Sequence, residues 1–191
     1  MTVVMVALAI LALYALFMFF VRREEERNKK VKKEHKKALA ERSPLLALKV
    51  GDAVEHVGQT FIVDEKLTFR EGSFQWLEYK LVDGSETRWL EVEDDDELYV
   101  TLYEAAPDLH VTGEPPRTLQ YQGKSFELEE KGFATMRKEG DVNRHELPEC
   151  RYYDYEAPGG DVLSLEKWGE NFEASVGKTL HPATLDVIAA R

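Results

Sequence analysis

Two tryptophans and three glutamates alternate along residues 74–82 and 87–93, which flank Asp83-Gly84-Ser85. Asp-Gly tolerates positive φ, so this stretch reads as a β-hairpin. An even-length loop pairs odd positions of the first strand with even positions of the second. Leu77, Tyr79 and Leu81 therefore share one face with Arg88, Leu90 and Val92, and Trp76, Glu78, Lys80, Trp89, Glu91 and Glu93 share the other. If residues 97–104 join the sheet with Leu98, Val100 and Leu102 on the apolar side, Tyr99 and Tyr103 extend the second face. Its chemistry would be that of an organic-cation site, in which aromatic faces and carboxylates hold a polyamine or a Lys/Arg-rich peptide. The candidate ligand-binding set is Trp76, Glu78, Trp89, Glu91, Glu93 and Tyr99. The alternative is that the C-terminal half covers this face and the tryptophans are core.

Other chemistry is sparse. The chain has no P-loop, no G-x-G-x-x-G, no H-E-x-x-H, no G-x-S-x-G and no paired cysteines, so neither catalytic residues nor a cofactor or metal site is assigned. His35, His56, His110, His145 and His181 are scattered; His145 and Cys150 do not make a recognised metal spacing, and Asp94-Asp95-Asp96 lacks the ligand alternation of a calcium loop. The single cysteine, Cys150, reads as a buried structural thiol in a reducing compartment.

The elements that must carry the face begin at residue 46. The N-terminus is different: residues 3–21 are an uncharged apolar run, followed by a charge-dense stretch. At about 1.5 Å per residue the run would span about 28 Å as a helix, near the hydrocarbon thickness of a bilayer. No Lys or Arg precedes it and no small-x-small site follows, which favours an uncleaved anchor over a signal peptide. Residues 22–42 hold ten Lys/Arg against five Glu. The positive-inside rule then predicts a single-pass protein of the inner (plasma) membrane, N-terminus outside and C-terminal domain cytoplasmic. Residues 22–44 read as a charged helical stalk ending at Ser43-Pro44, with Arg22, Arg23 and Arg27 at the membrane interface.

Residues 43–191 carry 15 Lys/Arg and 31 Asp/Glu, an acidic head that would repel nucleic acid and anionic lipid. Periodicity of two predicts strands: Phe61, Val63, Leu67 and Phe69 on one strand face, and Leu98, Val100 and Leu102 on another. The acidic stretch 91–97 and residues 105–116, with three prolines, read as loops. A ten-residue similarity, His56-Val57-Gly58-Gln59-Thr60-Phe61-Ile62-Val63-Asp64-Glu65 against Tyr121-Gln122-Gly123-Lys124-Ser125-Phe126-Glu127-Leu128-Glu129-Glu130, suggests two halves, about 46–104 and 117–190. The fold expected is mainly β, a β-sandwich or barrel-like domain over 45–191 built of two similar antiparallel β-meanders, behind the transmembrane helix of residues 1–21.

The run Lys49-Val50-Gly51-Asp52-Ala53-Val54, then Gly58, Phe61, Trp76-Leu77-Glu78-Tyr79-Lys80-Leu81 and Trp89-Leu90, resembles the start of the bacterial domain of unknown function 4178. Gly123-Lys124-Ser125-Phe126, Asp154-Tyr155 and residues 163–169 resemble its second half. The resemblance implies a mainly β bacterial domain of unestablished activity, with a polyamine link through neighbouring polyamine-synthase-like membrane proteins; it supplies no catalytic residues. The functional expectation is a membrane-anchored cytoplasmic binding or scaffold module whose protein partner is another membrane protein. The alternatives are a polyamine or small-cation sensor and a membrane-tethered enzyme; clustered carboxylates of raised pKa in a concave pocket would favour the latter, and the sequence alone shows no such pocket.

Overall fold

The computed structural model describes residues 43–139 and 148–190, together with Met18. The expected anchor, the stalk and the interface arginines Arg22, Arg23 and Arg27 lie outside these residues, as do His35 and His145. No helix among the described residues is long and apolar enough to cross a membrane. Residues up to Ala47 form a unit of their own. Its described part is a 3-10 turn, Pro44–Ala47, that Ser43 opens by accepting the Leu45 and Leu46 N–H groups.

The described residues of the second unit, Leu48–Arg191, form β-strands and one 3-10 turn, Pro182–Thr184. Its strands are β1 (Ala53–His56), β2 (Gln59–Glu71), β3 (Phe74–Asp83), β4 (Glu86–Asp94), β5 (Leu98–Ala105), β6 (Thr118–Tyr121), β7 (Lys124–Lys138), β8 (Glu149–Ala157), β9 (Asp161–Trp168), β10 (Asn171–Thr179) and β11 (Leu185–Ile188). Every pairing is antiparallel, in the order β11-β1-β2-β3-β4-β5-β10-β9-β8-β7-β6. A further pairing of β2 with β7 joins Leu67–Arg70 to Thr135–Lys138 and closes β2-β3-β4-β5-β10-β9-β8-β7 into an eight-stranded barrel, which removes its edges. Strands β1, β11 and β6 extend the sheet beyond the barrel.

The ten-residue similarity corresponds to matched geometry. The β1–β2 and β6–β7 turns both hold a non-glycine residue at positive φ before a glycine, Val57-Gly58 (φ 50 and 77) and Gln122-Gly123 (φ 48 and 77), as a two-residue hairpin of primed type requires. Register then breaks in both second strands, between Val63 and Glu65 in β2 and between Leu128 and Glu130 in β7, 65 residues apart.

These bulges correct one expectation. Phe61, Val63, Leu67 and Phe69 do not share a face, because the extra residue Asp64 reverses the alternation. Val63 lies opposite Leu81, on the side of Tyr79, Leu90, Val92 and Val100, all buried; Glu65, Leu67 and Phe69 lie opposite Lys80, Glu78 and Trp76 on the barrel's inner face. In β7 the break separates Phe126 and Leu128 from Glu130, Gly132 and Ala134 in the same way. Each meander thus has a packed outer layer, and the second is built on Phe126, Tyr153, Tyr155, Leu163 and Leu165. Leu109 and Val111 of the segment after β5 pack over it, pinned by Tyr155 Oη donating to Pro116 O and Tyr121 Oη donating to Asp108. The acidic stretch also needs correction: Glu91–Asp94 belong to β4, and only residues 95–97 make the bend.

Candidate functional site

The β3–β4 hairpin pairs Trp76 with Glu93, Glu78 with Glu91 and Lys80 with Trp89; β5 adds Tyr99 beside Glu93, Thr101 beside Glu91 and Tyr103 beside Trp89. The loop is Gly84-Ser85, with Gly84 at φ 59, one position later than Asp-Gly would set it. Barrel closure rolls this face inward, so most of it looks across a lumen at β7–β10 and is not an outer surface. Trp76 is buried, stacked on Phe69 (5.2 Å between centroids) and edge-on to Tyr152 (5.6 Å). Tyr99, at the end of the barrel, stays exposed.

Below this aromatic plug the lumen holds a cavity of about 450 Å³, lined by Glu65, Leu67, Phe69, Glu78, Trp89, Glu91, Tyr103, Met136, Lys138, Pro148, Ser164, Glu166, Trp168, Glu173 and Ser175. Of the candidate set, Glu78, Trp89 and Glu91 reach it. Trp76, Glu93 and Tyr99 do not, although Trp76 Nε1 donates to Glu78 (3.3 Å). From the far wall come Glu166, which accepts from Trp168 Nε1 (2.9 Å), and Ser164, whose hydroxyl donates to Asp154 just behind it (2.7 Å). Glu91 accepts no hydrogen bond among the described residues.

These carboxyls are half-buried; Glu78, Glu91 and Glu166 line the cavity and Asp154 lies behind Ser164. Loss of bulk hydration raises all their pKa values, and like charge adds to it. Glu78 is held well above the carboxylate range by burial and then by Glu166, and Glu91 by burial and then by Glu78. Burial pushes Asp154 and Glu166 each up to about 7, against the hydrogen bonds from Ser164 and Trp168. Glu93 is raised by burial and by Glu130. The cation on the cavity wall among the described residues is Lys138, already bound to Glu65 at 2.7 Å; Lys80 also holds Glu65 (3.3 Å), and these pairs keep Glu65 low. Half of the Lys138 side chain is exposed, which marks where the cavity meets solvent.

The cavity exists because the two meanders differ where their backbones correspond. Trp89 pairs with Lys80 and Tyr103; Ser164 pairs with Asp154 and Ser175; Lys80 and Asp154 each pair with the glutamate after a bulge. Two serines therefore stand where the first meander has two large rings. The same correspondence matches Glu91 with Glu166, two residues further on.

Glu166, Asp154, Ser164 and Trp168 were missed as site residues. The signal was the repeat itself: Leu90-Glu91 recurs as Leu165-Glu166, and carrying Glu91 across would have found its partner. Cys150 is buried beside Trp76, its thiol pushed up to about 12 by burial. His56 and His181 bond backbone at Thr184 and Ala183. No three metal-ligating side chains converge among the described residues.

Residues 49–182 match the family described as Domain of unknown function (DUF4178). The chain belongs to this family. It is similar to an uncharacterized protein of Mycobacterium tuberculosis (strain ATCC 25618 / H37Rv), 30% identical over 148 residues, 73% of this chain and 71% of that protein. An uncharacterized protein of Aquifex aeolicus (strain VF5) is 27% identical over 157 residues, 78% of this chain and 86% of that one. No solved structure matches at a significant level.

Proposed function

We propose that the DUF4178 barrel is a binding module whose lumen takes a small organic cation, an amine or polyamine, between Trp89, Trp168 and the carboxyls of Glu78, Glu91 and Glu166. One observation carries this reading. Three half-buried carboxyls, those of Glu78, Glu91 and Glu166, line a cavity with Asp154 behind Ser164, and the wall cation among the described residues, Lys138, is occupied by Glu65. A cation entering there would let them ionise and recover the energy that burial takes from them, and the aromatic walls would add cation–π attraction. A volume of about 450 Å³ falls within the range of small-molecule sites, roughly 300–1,000 Å³. In the cell the module would stand on the cytoplasmic side of the membrane, held by residues 1–21, and would report ligand occupancy to a neighbouring membrane protein. The two meanders would descend from a duplicated unit.

The raised carboxyls in a pocket also favour a second reading, an acid–base enzyme tethered to the membrane. A pair of groups whose pKa values are pushed apart would separate an acid from a base. Here all four move in the same direction, as expected of counter-charges awaiting a cation.

The test is a thermal-shift panel on the full chain in detergent, with ethylamine and spermidine against acetate and glucose. The amines should raise the melting temperature of the wild type and not of Glu91→Gln. Stabilisation by glucose alone, or by nothing in the panel, would remove the cation reading.

A further inference from the structure

Beyond the Glu65–Lys80 rung, the inner face of the barrel does not stop. The next pair is Ile62 with Val82, and the same row runs through Ala53 of β1 to Ile188 of β11, each residue directly opposite the next. Ile62 is 46% exposed and Ile188 51%, high values for isoleucine in regular strands. The outer neighbouring row is polar, with Glu55 between Thr60 and Asp186. The inner neighbours are the Lys80–Asp64 and Lys80–Glu65 ion pairs, at 2.9 and 3.3 Å.

The corresponding row of the second meander has none of this character. Glu127 stands where the first has Ile62, Glu156 where it has Val82, and Thr118 where it has Ala53; Thr118 Oγ1 donates to Glu127 (2.9 Å). One end of a barrel with matched backbones therefore carries an apolar lip and the other a polar one. The apolar lip adjoins Glu65, which itself lines the cavity.

The dimensions of the lip decide what it can hold. At about 4.8 Å per strand, four strands give a row about 14 Å long and one side chain wide. A protein interface needs an area on the order of 1,000 Å² and many side chains, which one row bordered by charge does not offer. An aliphatic chain needs only that width.

We infer that the ligand of the lumen is an amphipathic amine, its cationic head among the cavity carboxylates and its aliphatic chain leaving past Glu65 along Val82, Ile62, Ala53 and Ile188. This rests on the cation reading of the cavity and adds a direction and a ligand class. The head supplies the charge that Glu91 lacks, and the chain covers two isoleucines otherwise in water.

The experiment is calorimetric titration of the full chain, in one fixed detergent, with unbranched primary amines from two to sixteen carbons. Beyond the length that fills the cavity, affinity should rise by roughly two- to fourfold per methylene, since full burial of a methylene corresponds to about fourfold. In Ile62→Ser/Ile188→Ser that increment should vanish while ethylamine binds as in the wild type. Phe133→Ser, an exposed residue on the other half, should leave it intact. Ethylamine binding with no gain along the series, or a gain unchanged in the double variant, overturns the inference and leaves the cation reading standing. Failure of every amine overturns both.

Discussion

The two meanders of this barrel share a backbone plan and differ in what they place inside it. Both open with a tight turn at positive φ, both reverse their second strand at a bulge, and both put a glutamate at the same inner position, Glu91 and Glu166. Where the first meander then has Trp89 and Tyr103, the second has Ser164 and Ser175. The difference teaches how a closed barrel acquires a cavity: backbone correspondence supplies paired acids, and loss of ring volume on one side supplies the space beside them.

The largest effect should come from removing the feature the halves share. Deleting Asp64 straightens β2 and turns Leu67 and Phe69 outward, and deleting Glu129 does the equivalent to β7. Each deletion should cost more than about 4 kcal/mol, enough to abolish cooperative unfolding measured by circular dichroism. If one deletion is tolerated, the halves are not equivalent in closing the barrel.

Making the second meander like the first should come next. In Ser175→Tyr the ring enters the cavity as Tyr103 does from β5, so amine affinity should fall by at least about a hundredfold while stability changes by no more than roughly 1–2 kcal/mol. Retained affinity would show that ligand binds elsewhere.

Acidity sharpens the pairing of Glu91 with Glu166. Their folded pKa values, like those of Glu78 and Asp154, lie above the unfolded ones; for Glu166 and Asp154, each pushed up to about 7, the native state holds more protons than the unfolded chain between about pH 4.5 and 7, and Glu78 and Glu91 act in the same direction. Stability is full below that window and falls as pH rises through it. The melting temperature without ligand should therefore drop between pH 5 and pH 8, in contrast to the usual carboxylate behaviour. Glu91→Gln should flatten the drop, and Glu166→Gln should do the same. Amine affinity should rise over the same range as the sites deprotonate.

The smallest effect separates the two turns. Val57 is β-branched at φ 50, whereas Gln122 is unbranched at φ 48. Val57→Gly should stabilise by up to about 1 kcal/mol and Gln122→Gly by less, both read from chemical denaturation.

The hairpin register was legible because parity is arithmetic: Trp76, Glu78, Glu91 and Glu93 share a face in the structure as residue counting requires. What that face looks toward was not legible. Inward or outward depends on the β2–β7 and β5–β10 pairings, which join residues far apart in sequence and leave no local trace. The bulge at Asp64 was hidden for a related reason. Both Val63 and Leu67 are apolar, so a strand that changes sides midway has the composition of one that does not. The cavity was beyond reach altogether, since it depends on the volume of Ser164 and Ser175 against rings contributed from the other half.

The most direct test of the account is calorimetric titration of spermidine into the full chain at pH 7.5, wild type beside Glu91→Gln/Glu166→Gln. The account predicts wild-type binding that the double variant weakens by about a hundredfold or more, from loss of two buried counter-charges, with the fold unchanged by circular dichroism. Equal affinity in the two proteins, or none in the wild type, would contradict it.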